Sequence, residues 1–175
     1  MLFDHSNVVF VPVPVSCARL TVAKPSATQA KYLDYEIGAS IHFNMQTFNR
    51  NMKPDHFSGF LLWPTATNYN YSVKNSNWRN GTGDVAWEFM QSCANTALSH
   101  GFYYSVHENW YMDVDNYKTH NPVTQAVYRR LVEEHLRELL SPKSKYKKPF
   151  LFWFDAGIVP GISPNVGPIL RLFSE

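Results

Sequence analysis

Apolar residues along this chain fall into short runs and longer stripes that alternate. Glu36–Phe43 (EIGASIHF) reads as a strand that ends in polar His42 and aromatic Phe43. Asn44–Pro54 is polar and irregular, and His56–Trp63 (HFSGFLLW), closed by Pro64, reads as another strand or strand end. Asp84 is placed to cap a helix over about Val85–Ser99, where Ala86, Phe89, Met90, Cys93, Ala94 and Ala97 share one face and Gly101 supplies the stop. Phe102–His107 (FYYSVH) follows as a short aromatic strand. Asn121-Pro122 is a cap followed by a first helical turn, and Val123, Val127, Leu131, Leu136, Leu139 and Leu140 form an apolar stripe that stops at Pro142. Pro149–Phe154 (PFLFWF) is continuously apolar and breaks at Asp155-Ala156-Gly157. Strand, helix, strand, helix, strand is the order of a parallel α/β unit. A strand apolar on both faces, such as Leu151–Phe154, suits a sheet buried under flanking helices. A doubly wound sheet and a (β/α) barrel both fit this order.

The bulk numbers change the picture little. The 175 residues are 45% hydrophobic and 15% aromatic, enough for one ordinary core and too few for two. Sixteen basic residues against fourteen acidic ones give a net charge of +2 without long charged blocks, so neither nucleic acid nor another polyanion is an expected partner. Lys143, Lys145, Lys147 and Lys148 form one local cluster, expected to be a solvated loop. No window reaches the roughly 18 consecutive apolar residues of a membrane span. Val8–Val15, interrupted by Pro12 and Pro14 and without a basic flank, reads as a short strand and not as a convincing signal peptide. Cys17 and Cys93 make no disulfide framework, and Cys93 is expected as a buried thiol. Two sequons, Asn70-Tyr71-Ser72 and Asn80-Gly81-Thr82, are compatible with a secretory route.

Ionisable residues stand where the apolar strands stop: His42, then His107 and Glu108, then Asp155. In parallel α/β folds the carboxyl ends of strands carry ligands and catalysis. A carboxylate that follows six apolar residues must be solvated, paired or hydrogen-bonded at that rim. Each residue also has a plainer role open to it. Asp155 can cap the following turn, His42 can be structural, and Trp63, Tyr103, Trp110 and Trp153 can be core. No metal-ligand spacing, phosphate-binding glycine loop or nucleophile elbow occurs, and no cofactor is expected. Carboxylate chemistry at a sugar ring remains as the leading site type, with the aromatics packing against C–H faces.

Five stretches in order resemble the α-L-fucosidases of glycoside hydrolase family 29. They are GASIHFNMQTF (Gly38–Phe48), HFSGFLLWP (His56–Pro64), YSVKNSNWRNGTGDV (Tyr71–Val85), GFYYSVHENW (Gly101–Trp110) and FLFWFDAG (Phe150–Gly157). The third is very similar to a run of the subgroup that tends to cleave α-1,3/1,4 linkages. The resemblance implies a (β/α)8 TIM barrel, here partial, with residues 1–34 as a strand and lead-in and 35–175 as catalytic barrel. It further implies a retaining exo-acting enzyme that releases terminal fucose from glycans, secreted or lysosomal, with Asp155 as nucleophile. His42 and His56 would hydrogen-bond the fucose hydroxyls, while Tyr103, Trp153 and nearby Trp63 would line the pocket. The resemblance says nothing of oligomeric state.

Three departures accompany it. Phe57 and Ser58 replace the second histidine and the acid of the paired-histidine motif, and Asn44 replaces a glycine. His42 and His56 are only fourteen positions apart, where the family has a helix and another strand, so an internal deletion near Arg50–Lys53 is expected. After Asp155 the sequence holds one carboxylate side chain, Glu175, whereas the family's general acid/base is a glutamate well beyond the nucleophile. The expectation is half a barrel lacking that acid/base. The alternatives are an inactive fragment or isoform that retains at most fucose binding, and a scaffold left with exposed sheet edges.

Overall fold

The computed structural model describes residues 24–43, 57–115, 118–146 and 149–155. The chain divides into two compact units, Met1–Ile41 and His42–Glu175.

In the first unit, helix α1 spans Ala27–Leu33. Its capping box is complete: Ser26 Oγ accepts from Gln29 N (3.2 Å), and Gln29 Oε1 accepts from Ser26 N (2.8 Å). The strand expected at Glu36–Phe43 is absent, since residues 35–43 have no regular structure. Ile37 and Ile41 are 89% and 68% exposed. A strand forms by pairing, and this segment pairs with none among the described residues. Val8–Val15, His56 and Cys17 lie outside the described residues.

The second unit contains helix α2 (Val85–Asn95), strands β1 (Gly101–Ser105), β2 (Val114–Asp115) and β3 (Lys118–Thr119), helix α3 (Pro122–Leu140) and strand β4 (Leu151–Asp155). β1 and β4 run parallel, joined through α3, with Gly101 opposite Leu151 and Ser105 opposite Asp155. β2 and β3 make a two-residue antiparallel ladder on that crossover. The strand expected at His56–Trp63 is reduced to one parallel bridge, Leu61 with Ser72.

α2 begins as expected, with Asp84 Oδ1 accepting from Trp87 N (3.0 Å), but it ends four residues early. Ala97 takes φ +57°. Leu98 N then donates to Cys93 O (2.9 Å) and Ala97 N to Ala94 O (3.3 Å), the paired bonds of a Schellman motif with alanine in the usual glycine place. Gly101 is therefore not the stop. It opens β1, where a Cβ would sit 2.7 Å from Leu151 O, so its bare backbone lets the two strands approach.

α3 has Asn121 Oδ1 accepting from Val123 N (2.8 Å), with Pro122 in the first turn. Its buried face comprises Tyr128, Leu131, Val132, His135, Leu136, Leu139 and Leu140. Val123 and Val127, expected on that stripe, are 72% and 42% exposed. Nineteen helical residues extend about 28 Å, while a five-residue strand extends about 17 Å, so the first turns overhang the sheet. The core combines this helix face with Ala86 and Met90 of α2, with Leu61, Trp63 and Tyr69, and with Tyr104 and Val106; Phe102, Phe152 and Phe154 pack against it. Cys93 is a buried free thiol. Of the lysine cluster, Lys145 is not merely solvated: its ammonium pairs with Asp84 (2.5 Å), whose Oδ2 also accepts from Tyr146 OH (3.0 Å).

Candidate active site

Alternation along two paired strands sorts their side chains onto two faces. Phe102, Tyr104, Phe152 and Phe154 face the helices, while Tyr103, Ser105, Leu151, Trp153 and Asp155 share the opposite face. That face is open: Tyr103, Leu151 and Trp153 are 41%, 42% and 55% exposed. The apolar run Leu151–Phe154 is thus buried on one side only.

Asp155 is the last residue of β4, directly across from Ser105. Its Oδ2 accepts a 2.7 Å hydrogen bond from Tyr103 OH. Tyr103 and Trp153, also cross-strand partners, meet edge to face at 6.1 Å and 70°. Ser105 Oγ donates to Glu108 O (3.1 Å) and accepts from Glu108 N (3.4 Å), which folds the following loop back over the end of β1. Glu108 Oε1 lies 3.2 Å from His107 Nδ1, and its Oε2 accepts from Trp110 Nε1 (3.2 Å). Burial pushes the Tyr103 phenol well above its ordinary range; the hydrogen bond to Asp155 and the charges of Asp155 and Glu108 push the same way, and the Ser105 hydroxyl partly offsets them. Tyr103 is therefore a neutral donor facing an anionic acceptor.

Of the residues singled out in the sequence, Tyr103, Trp153 and Asp155 are brought together. His42 is exposed within the irregular segment that replaces the expected strand. Trp63 is placed elsewhere. It is buried on the helix side, donates through Nε1 to Glu138 Oε2 (2.8 Å) and packs edge-on against His135 (5.6 Å). An indole beside an apolar strand end serves a core as readily as a pocket, and burial in the helix-side core decides it here. Ser105 was not singled out, because only the strand register reveals it as the residue opposite Asp155.

Sequence reasoning also missed a buried polar network behind the sheet. His135 Nδ1 lies 2.8 Å from Tyr104 OH and Nε2 3.2 Å from Thr67 Oγ1, enclosed by Trp63 and Tyr69. Burial lowers its pKa from 6.5 to about 3, so the imidazole is neutral. Glu138 accepts in addition from Thr65 Oγ1 (2.8 Å) and Ala66 N (2.7 Å), tying the Trp63–Thr67 loop to α3. Among the described residues no group of three or more His, Cys, Asp or Glu is arranged to hold a metal. No described helix is long and apolar enough to cross a membrane.

A half-buried strand-end carboxylate that accepts from a tyrosine hydroxyl, with aromatic rings beside it, is suited to nucleophilic attack on a sugar ring. The α-L-fucosidase family profile matches residues 50–163, more than half of the chain and spanning this strand pair. The chain belongs to the α-L-fucosidase family. It is 44% identical over 50 residues to Alpha-L-fucosidase 1 of Arabidopsis thaliana, an alignment covering 29% of this fucosidase-family chain and 10% of the plant protein. A crystal structure of an α-L-fucosidase candidate from Bacteroides thetaiotaomicron superposes with a TM-score of 0.56 at 29% identity, covering 67% of this chain and 29% of that one. A glycoside hydrolase 29 family member from an unknown rumen bacterium shares the fold at 23% identity, with a TM-score of 0.62 over 85% of this chain and 35% of its own. The chain thus spans a tenth to about a third of the length of these three relatives.

Proposed function

We propose that this chain is the nucleophile-bearing part of a retaining exo-α-L-fucosidase acting on terminal fucose of glycans, with Asp155 attacking the anomeric carbon. One observation carries the proposal: Asp155 ends β4 on the open face, one oxygen held by Tyr103 and the rings of Tyr103 and Trp153 beside it. The parallel β1–α3–β4 unit corresponds, on this proposal, to one repeat of a (β/α)8 barrel whose interior is the open face. His42 and His56 serve the sugar hydroxyls, and Trp63 supports the site through the core behind it. The 1,3/1,4 linkage preference and a secreted or lysosomal location belong to the same proposal. On such a route Asn80 is an accessible glycan acceptor, since Asn80 and Thr82 are exposed, whereas Ser72 of the other sequon is buried.

A carboxylate nucleophile divides the displacement into two oxocarbenium-like steps, with a second carboxyl about 5–5.5 Å away acting as acid and then base. Glu108 suits that role poorly, because both its oxygens are engaged within its own loop, one beside His107 Nδ1 and the other accepting from Trp110 Nε1. This favours a second reading, in which the chain alone binds fucose without turning it over and the whole enzyme supplies the acid/base. Release of nitrophenol from the nitrophenyl α-L-fucoside by the purified chain, against Asp155→Ala, tests hydrolysis. Equal rates for the two would dismiss catalysis by this chain, and fucose protection of Trp153 fluorescence would then establish binding alone.

A further inference from the structure

We propose that Trp110, tethered to Glu108 beyond the end of β1, is the platform for the sugar to which the terminal fucose is attached, and so a specificity-determining residue. This rests on the fucosidase role proposed for Asp155 and assigns the leaving-group side of that same site.

Trp63 and Trp110 both donate to a glutamate, and burial separates their roles. Trp63 is 7% exposed and belongs to the core, whereas Trp110 is 53% exposed although its Nε1 is fixed on Glu108 Oε2 at 3.2 Å. A large ring left half in water adds little to folding, but it offers an apolar face on which the C–H side of a pyranose packs. Its backbone is held as firmly. Buried Asn109 caps the turn, its Oδ1 accepting from Met112 N (3.1 Å). Trp110 N donates to Phe57 O (3.0 Å) and Tyr111 N to Ser58 O (3.3 Å), which pins the turn beside the segment that resembles the paired-histidine motif. Tyr111 anchors it further by stacking on Tyr71 at 4.7 Å and 7°. A ring fixed before the ligand arrives loses little freedom on binding.

Topology sets what the ring meets. The turn continues β1 past Ser105, the residue across from Asp155, and the Ser105 hydroxyl bonds the backbone of the same Glu108 that tethers the indole. The Glu108 charge is also felt at the Tyr103 phenol. Trp110 therefore stands at the same end of the strand pair as Asp155, one loop away from the rings of Tyr103 and Trp153. With the fucose ring at Asp155, the next sugar of the glycan is the one that a platform on this loop can reach.

The test measures binding of two ligands to the full chain by calorimetry, on the Asp155→Asn chain if the wild type cleaves either. One ligand is methyl α-L-fucoside, and the other is a disaccharide with fucose α-1,3-linked to N-acetylglucosamine. The disaccharide should bind about tenfold more tightly, the size of one aromatic contact. Trp110→Ala should bring that ratio close to one, and Trp110→Phe, which keeps a ring but loses the tether, should fall between. A ratio unchanged in Trp110→Ala overturns the platform, including the case in which both affinities drop together through a structural effect. If Trp110→Ala does not fold, fluorotryptophan at position 110 decides: its fluorine resonance should shift more with the disaccharide than with methyl fucoside, and equal shifts overturn the proposal. Methyl fucoside binding with equal ratios in the two chains leaves fucose recognition standing, whereas no binding of either ligand removes both readings.

Discussion

Mild acid should destabilise this chain through His135. The imidazole is 1% exposed, and its pKa falls from 6.5 to about 3 in the folded state. Below pH 6.5 the unfolded chain binds a proton there that the folded chain refuses. Stability is therefore fully present above about pH 6.5 and is lost as pH falls toward 3. Between pH 7 and pH 5 this one site removes about 2 kcal/mol. That figure depends almost wholly on the unfolded-state value, because the folded imidazole stays neutral throughout the window. Glu138 is the carboxylate nearest in the network, but its oxygens are taken by Trp63, Thr65 and Ala66, leaving the ring with the neutral hydroxyls of Thr67 and Tyr104. The assay is urea unfolding of wild type and His135→Gln at both pH values. Other titrating groups are common to the two chains and cancel in the difference. The stability advantage of wild type should shrink by about 2 kcal/mol at pH 5. A difference that stays constant within about 0.5 kcal/mol would refute the claim that His135 is buried and neutral.

Other expectations follow from single contacts. Trp63→Ala should cost about 3–5 kcal/mol in urea unfolding, as for other buried aromatics, whereas exposed Trp153→Ala should change stability by less than about 1 kcal/mol while abolishing fucose-dependent fluorescence change. Equal costs at the two sites would contradict the two-faced sheet. Ala97→Gly should raise stability by about 0.5–1 kcal/mol, because alanine pays for φ +57° at the helix end and glycine does not; a lower melting temperature would show that the end is not held there. Asp84→Ala removes a helix cap and leaves buried Tyr146 OH without its acceptor, for a loss of about 2–4 kcal/mol, and Asp84→Asn should recover part of it. Gly101→Ala forces a Cβ toward Leu151 O, so the melting temperature should drop and amide exchange along β1 and β4 should quicken; unchanged exchange would argue against the close parallel pairing.

Local signals in the sequence were enough for α2, α3 and the strands on either side of α3. Asp84 and Asn121 offer side-chain acceptors to the first turn, and apolar residues recur at helical spacing, so the position of each helix is marked within its own segment even though its stability comes from packing. The placement of Asp155 at a strand end was legible because a carboxylate after six apolar residues cannot be carried into a core. The α1 helix carried a readable signature too, Ser26 followed three residues later by Gln29, that went unread. Strand existence was different. Glu36–Phe43 has strand-like composition, yet a strand's hydrogen bonds belong to its neighbour, and no neighbour is there among the described residues. The end of α2 was decided by Ala97 entering a left-handed conformation that composition does not disclose.

What the chain alone determined was its chemistry by residue type and its helical segments, because those depend on contacts within a few positions. The tertiary structure decided which face each aromatic occupies, sending Trp63 into the helix-side core and Trp153 to the open side. It also set the register that puts Ser105 across from Asp155 and brings the Tyr103 hydroxyl to its carboxylate. Pairing between segments fifty residues apart is a global choice, fixed by how α3 packs onto one side of two strands, and no local pattern encodes it.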